Sequence, residues 1–181
     1  MIEVKVQSLG LDRTSSTPVV ILREADGKRV LPIWIGPGEA SAIAMELAGM
    51  KFSRPLTHDL FASVILGMGG TLKRVMITKV VENTYYAELI IQRGSELISV
   101  DARPSDSIAI ALRMSATIFT TDELLQNTTL EITEAADSPE DLVSDEWSGG
   151  SESEQQGGLT PELLREYLRR MDPEDFGRFN P

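Results

Sequence analysis

The 181-residue chain has no cysteine and a single histidine, His58. The first absence excludes disulfides, thiolate metal sites and a cysteine nucleophile, and it fits a reducing cytoplasm. The second removes any site built on paired metal-binding imidazoles. No stretch approaches the ~20 consecutive apolar residues of a membrane span. The N-terminus alternates apolar and charged residues from its second position, whereas a secretion signal has a basic start and an apolar run. A nucleotide-binding glycine loop with its lysine is also missing, and GMGG at 67–70 reads as a helix end. These absences predict a cytoplasmic protein without membrane association.

Basic charge is scarce overall, with 17 Lys and Arg against 28 Asp and Glu, for a net charge of -11. The imbalance is local. Residues 1–132 carry a net -2, residues 133–158 hold eight acids and no base, and residues 159–181 carry a net -1. A nearly neutral body offers no broad basic face for nucleic acid, so any such contact must be local.

What is present divides into three parts. Residues 1–132 carry the apolar patterning of one domain. Residues 133–158, rich in acid, Ser and Gly, bury too little to repay ordering and read as a flexible linker, spanning about 25 to 30 Å by the flexible-chain relation. Residues 159–181 begin with Thr160 as a cap and Pro161 at the first helical position. Leu159, Leu163, Leu164, Tyr167, Leu168 and Met171 then form an amphipathic stripe, which predicts a helix that packs on its own body or on a sister subunit.

Within the body, two β-rich runs flank Asp26-Gly27, a hairpin signal. A helix follows from Pro37 to the stop at Gly49. A second helix starts at Thr57, taken as its cap, with Leu60, Phe61, Val64 and Met68 expected on its buried face. Residues 71–102 read as three strands turning near Asn83 and Gly94, and SDSIAIALRM as a helix apolar nearly all round, hence buried. A short strand and a helical turn close the body. Hairpins interleaved with short helices predict an α+β fold with a mostly antiparallel sheet.

Two segments echo each other, RPLTHD at 54–59 and RPSD at 103–106. Each has Arg-Pro, a hydroxyl residue suited to cap a helix, and an aspartate in the first turn. Capping alone accounts for Thr57, Ser105 and the two aspartates, at ~0.5 to 1 kcal/mol each. It does not account for Arg54, Arg103, Asp101 or His58. A helix start beside an arginine suits a phosphate. Carboxylates there repel it unless a divalent cation lies between, as in metal-assisted phosphodiester cleavage. On that reading Asp101 and Asp106 hold Mg²⁺ or Mn²⁺, with Asp59 as a further ligand or catalytic group. Arg54, Thr57, Arg103 and Ser105 bind substrate, and His58, Asp59 and Asp106 are catalytic. Glu39 either joins the ligands or only complements its helix dipole. Both the cap and the reaction site remain open, as does a non-enzymatic module that binds an anion or a protein through the same helix starts, or an oligomer interface.

LPIWIGPGEASAI, RPLTHDL and VDARPSDSIAIALR, in this order and spacing, closely resemble the bifunctional nuclease domain family. The likeness covers roughly residues 1–132, and LREYLRRMDPEDF resembles the C-terminal segment of many bacterial members. The resemblance implies an α+β fold and nuclease action on DNA and RNA. It places the family's characteristic polar residues on Glu39, Arg54, Thr57, His58, Asp59, Asp101, Arg103, Ser105 and Asp106.

Overall fold

The computed structural model describes residues 1–12 and 15–127. The linker expected over 133–158 and the helical tail expected over 159–181 lie outside the described residues. A three-stranded meander comes first: β1 (Ile2–Leu11), β2 (Pro18–Glu24) and β3 (Val30–Trp34), followed by helices α1 (Pro37–Leu47) and α2 (Thr57–Gly67). A second meander comprises β4 (Gly70–Val81), β5 (Thr84–Arg93) and β6 (Glu96–Ala102), followed by α3 (Pro104–Met114), β7 (Thr117–Thr120) and α4 (Asp122–Asn127). The elements expected from the sequence within residues 1–127 are therefore present, in an α+β arrangement.

All seven strands form one sheet in the order β3-β2-β1-β7-β4-β5-β6. Every neighbouring pair is antiparallel except β4 and β7. The β4–β5 turn uses Glu82 and Asn83, both at positive φ (48° and 61°), the geometry of a two-residue hairpin whose twist matches its strands. Asn tolerates that region because its short side chain can hydrogen-bond locally.

Helices α1, α2 and α3 form one layer, with α3 in the middle touching both neighbours and strands β4 and β5. Its Ile108, Ala109, Ile110 and Ala111 are buried among Val75, Ile77 and Leu89 of the sheet, as a helix apolar nearly all round requires. The helix after each meander is built alike. Both α1 and α3 have 11 residues, proline at the first position and a carboxylate at the third, Glu39 and Asp106. The structural counterpart of RPSD is thus GPGE at 36–39, and not the RPLTHD segment that echoes it in sequence.

One expectation is overturned in α2. Leu60, Phe61, Val64 and Met68 are 53%, 42%, 46% and 65% exposed, while Ala62 and Ile65 are buried. The helix is apolar on adjoining faces, so hydrophobic periodicity alone does not fix its rotation. Polar contacts from its first turn do: His58 and Asp59 both reach α3, and this turns Ala62 and Ile65 inward.

Candidate functional site

The starts of α1, α2 and α3 converge on one cluster. Arg103, the residue before α3, sits at its centre: Nη1 lies 2.8 Å from Oε1 of Glu39 on α1, and Nε donates to Oδ2 of Asp106 at 2.9 Å. Oδ1 of Asp106 faces Nε2 of His58 on α2 at 3.0 Å. Proline at the first position of α1 and α3 fixes φ where no N–H is needed, so the following carboxylates project from the first turn. A Cβ at Gly36 would meet the Glu39 carboxylate, the free end of a flexible side chain, which would have to move aside.

Capping does not explain these residues in the form the sequence suggested. The residue flanking α2 is Leu56 and that flanking α3 is Arg103, and neither helix has a side-chain cap in which a hydroxyl accepts from the first turn. Thr57 and Ser105 fall inside their helices. In α2 the capping contact runs the other way, with Asp59 Oδ2 accepting from the Leu56 N–H at 2.9 Å. A leucine has no acceptor, so only this half of a capping box exists.

Burial pushes the Asp106 carboxyl up, but hydrogen bonds from Arg103 and His58 outweigh it and hold the group below the usual carboxylate range. Asp59 follows the same balance: burial raises it, and the Arg113 guanidinium with the Leu56 N–H brings it below. Asp106 is therefore an acceptor on both oxygens, and its Oδ1 requires His58 to carry the proton on Nε2. Whenever the ring is uncharged, that tautomer puts the lone pair on Nδ1.

Sequence reasoning missed Arg113. Its side chain is only 6% exposed. Nε pairs with Asp59 Oδ1, Nη1 donates to Ala109 O at 3.0 Å and Nη2 to Ala42 O of α1 at 3.2 Å, with Glu46 at 4.0 Å. A basic residue in the last turn of a helix reads as a dipole complement; its signal here was an arginine on an otherwise apolar helix. Seven residues separate Asp106 from Arg113, two turns on one face of α3, so His58 and Asp59 clamp α2 to α3 at two points.

Two expected members stand apart. Asp101 pairs across β6 with Glu88 of β5, and strand alternation puts both on the face opposite Ala87, Val100 and Ala102, which pack toward the core. Its side chain is thus directed to the other side of the sheet from the helices carrying His58 and Asp106. Arg54 is exposed in the segment before α2, and no hydrogen bond or ion pair engages it among the described residues.

Among the described residues, no group of three or more His, Asp and Glu side chains is placed to hold a metal ion. The donor set gives the reason. The guanidinium of Arg103 already occupies the position between Glu39 and Asp106, and Asp101 faces elsewhere. Glu39, Asp101 and Asp106 as arranged do not fit Mg²⁺ or Mn²⁺. What the arrangement can do is present fixed cations, open helix starts and one imidazole base to an anion. An open cleft of about 400 Å³ at the β2–β3 turn, lined by Lys5, Arg23, Glu24 and Lys28 among others, contains none of these residues. No helix among the described residues is long and apolar enough to cross a membrane.

Comparison with known proteins finds a match to the model of the bifunctional nuclease domain over residues 20–133. An uncharacterised protein of Mycobacterium tuberculosis is 42% identical over 174 residues, covering 96% of this chain and 97% of its own. Bifunctional nuclease 1 of Arabidopsis thaliana is 30% identical over 100 residues, 53% of this chain and 31% of the plant protein. Bifunctional nuclease 2 of Oryza sativa subsp. japonica is 29% identical over 116 residues, 62% and 36% of the two chains.

Proposed function

From the premise that this chain belongs to the bifunctional nuclease domain family, we propose that it hydrolyses phosphodiester bonds in DNA and RNA at the convergence of α1, α2 and α3. The observation that carries this reading is the His58–Asp106–Arg103 chain of contacts at two helix starts. Asp106 holds the His58 ring with Nδ1 free to take a proton from the attacking water, whose oxygen bonds to phosphorus as the P–O bond to the leaving sugar oxygen breaks, and that oxygen then takes a proton back from the His58 imidazolium or from solvent. Arg103 and the unengaged Arg54 neutralise the phosphate, and the open N–H groups of Ser105 and Asp106 add donors at the start of α3. Thr57 and Ser105 line the two helix starts as substrate contacts, and Asp59 keeps His58 in place through Arg113. A reducing cytoplasm is the compartment we propose, where a chain without cysteine has no thiol to protect.

The sequence suggested a divalent cation. Here that role requires Arg103 to leave both Glu39 and Asp106, whereas fixed guanidinium groups supply positive charge without rearrangement. A second reading rests on the same contacts: Glu39 and Asp106 share the guanidinium of Arg103 and Asp59 pairs with Arg113, which leaves Arg54 as an unengaged cation and suits a non-enzymatic module that takes an anion there.

The test compares cleavage of single-stranded DNA and of RNA by the purified wild type, His58→Ala, Asp106→Asn and Arg54→Ala, each with EDTA and with Mg²⁺ or Mn²⁺. We expect activity to survive chelation and to fall about 100-fold or more in His58→Ala, the scale of general-base catalysis. Activity only with metal restores the metal-dependent reading. Equal residual cleavage in all four proteins identifies a contaminant and removes the enzyme reading, and retained phosphate binding by the wild type then favours the module.

A further inference from the structure

The face of the sheet turned away from α1, α2 and α3 carries a row of bases that the His58 cluster does not use. Strand pairing fixes the row. Lys5 of β1 lies directly opposite Arg23 of β2, Arg74 of β4 pairs with Thr117 of β7, and Val4 pairs with Ile118, which puts Lys5 level with the same Thr117. Val4, Leu22, Val75 and Ile118, their neighbours along the strands, all belong to the core, so alternation turns Arg23, Lys5, Thr117 and Arg74 outward together. The row crosses four adjacent strands, a width of about 14 Å. All three bases are exposed.

Their placement costs the fold stability. Like charges directly opposite on neighbouring strands destabilise a sheet, and Lys5 and Arg23 are such a pair. The Glu3 carboxylate lies 3.9 Å from Lys5 with both side chains exposed, a contact of little worth. Arg23 spends its Nε on Gly27 O at 3.3 Å, and no hydrogen bond or ion pair engages Arg74 among the described residues. Lys28 joins Lys5 and Arg23 around the open cleft at the β2–β3 turn. Of the two acids lining that cleft, Glu24 is already held by Arg29 through both oxygens, at 2.9 and 2.8 Å, which leaves Asp26 against three bases. An anion between Lys5 and Arg23 relieves their repulsion.

The surroundings select among anions. Phe119, half-buried, stands two residues from Thr117 on the same outward side of β7, between the strands that carry Lys5 and Arg74. An aromatic ring among bases on an open sheet face suits unpaired nucleic-acid bases, which stack on the ring while the backbone follows the charge. Glu3, Glu88 and Asp101 share the cross-strand row of Phe119, about 7 Å from the row of bases, and repel a second backbone. The face fits one strand and rejects a duplex.

We propose that the Arg23–Lys5–Arg74 row and its cleft bind the backbone of single-stranded nucleic acid, with a base stacked on Phe119, on the side of the sheet opposite the candidate active site. The choice of nucleic acid as the polyanion rests on the nuclease reading; the place does not, because none of these residues belongs to the His58 cluster.

Fluorescence anisotropy of a labelled oligothymidylate, titrated with the full-length His58→Ala protein so that cleavage does not consume the probe, reads the site directly. Three to four phosphate contacts predict a log–log salt slope of about -2 to -3, at ~0.7 per contact on a single strand. Lys5→Gln and Arg74→Gln should each lower that slope by about 0.7, whereas Phe119→Leu should weaken binding about 10-fold at an unchanged slope. Arg93→Gln, at the β5–β6 turn, should change neither. The charge substitutions fall on exposed positions and should keep the circular dichroism spectrum; Lys28→Gln gives the same reading if one of them does not. No binding at low salt, a slope unmoved by Lys5→Gln and Arg74→Gln, equal affinity for duplex DNA of the same length, or binding lost in Arg54→Ala and kept in these variants overturns the inference. Binding as expected by a wild type that cleaves nothing supports the inference and removes only the nuclease reading.

Discussion

Replacing Arg113 by methionine keeps an unbranched, helix-compatible side chain of similar reach and removes the only cation that ties three helices together among the described residues. The loss has four parts: the pairing with Asp59, the hydrogen bonds to Ala42 O on α1 and to Ala109 O within α3, and the weaker attraction of Glu46 at 4.0 Å. Breaking a fully buried pair from one side costs about 3 to 5 kcal/mol. Arg113 is 6% exposed but Asp59 is 32% exposed, so water screens the orphaned carboxylate and the figure falls to about 2 to 3 kcal/mol. Against a total of about 5 to 15 kcal/mol for a domain, that is a large fraction. Urea unfolding at pH 7, followed by circular dichroism, measures it. In a double-mutant cycle with Asp59→Asn, the two losses should fall short of additivity by at least about 1 kcal/mol. A loss under about 0.5 kcal/mol for Arg113→Met, or strict additivity, would refute the claim that this arginine fixes α2 on α3.

Three further outcomes are expected. Ser107 is fully buried and its hydroxyl has no partner among the described residues, so Ser107→Ala should raise the urea midpoint by about 1 kcal/mol or more in stability; a loss would mean that the hydroxyl is satisfied. Asp59 and Asp106 have folded pKa values below the ordinary ~3.9. The stability they contribute is fully present above that value and drains away as pH falls through the depressed folded values. Asp106→Asn should flatten this acid limb, and an unchanged limb on acid titration counts against the Arg103 and His58 contacts. Gly36→Ala puts a Cβ where the Glu39 carboxylate lies and should release one side of Arg103. Calorimetry with inorganic phosphate should then show tighter binding, and unchanged or weaker binding argues against Arg103 as an anion ligand.

The elements that were expected had local causes: Asp26-Gly27 and Asn83 mark hairpins, Pro37 starts a helix, and the apolar run after Asp106 has nowhere to go but inward, whereas β1 was not named as a strand and α3 starts at Pro104, one residue before the expected cap Ser105. The grouping of Glu39, His58, Arg103 and Asp106 was legible as chemistry, though not as geometry. Nothing local tells that Arg103 bridges two helices. The rotation of α2 was illegible because Leu60, Phe61 and Val64 are as apolar as Ala62 and Ile65, and long-range ion pairs make the choice. Asp101 was misplaced for the opposite reason. It sits two residues from Arg103 in sequence, but the last pleat of β6 turns it to the other face of the sheet before the chain reaches α3.

Strand β7 has only four residues, and it joins the two meanders. Val4 pairs with Ile118 and Val75 with the same Ile118, so the two halves of the sheet meet at one residue near the end of the domain. During synthesis, β1 and β4 are both open edges until residues 117–120 leave the ribosome, and open edges invite pairing with other chains. A ribosome that stalls before Thr117 leaves two half-sheets whose sticky sides face solvent. The order of translation therefore sets when this sheet can first protect itself, and pairings of such long sequence separation are the slow ones to form.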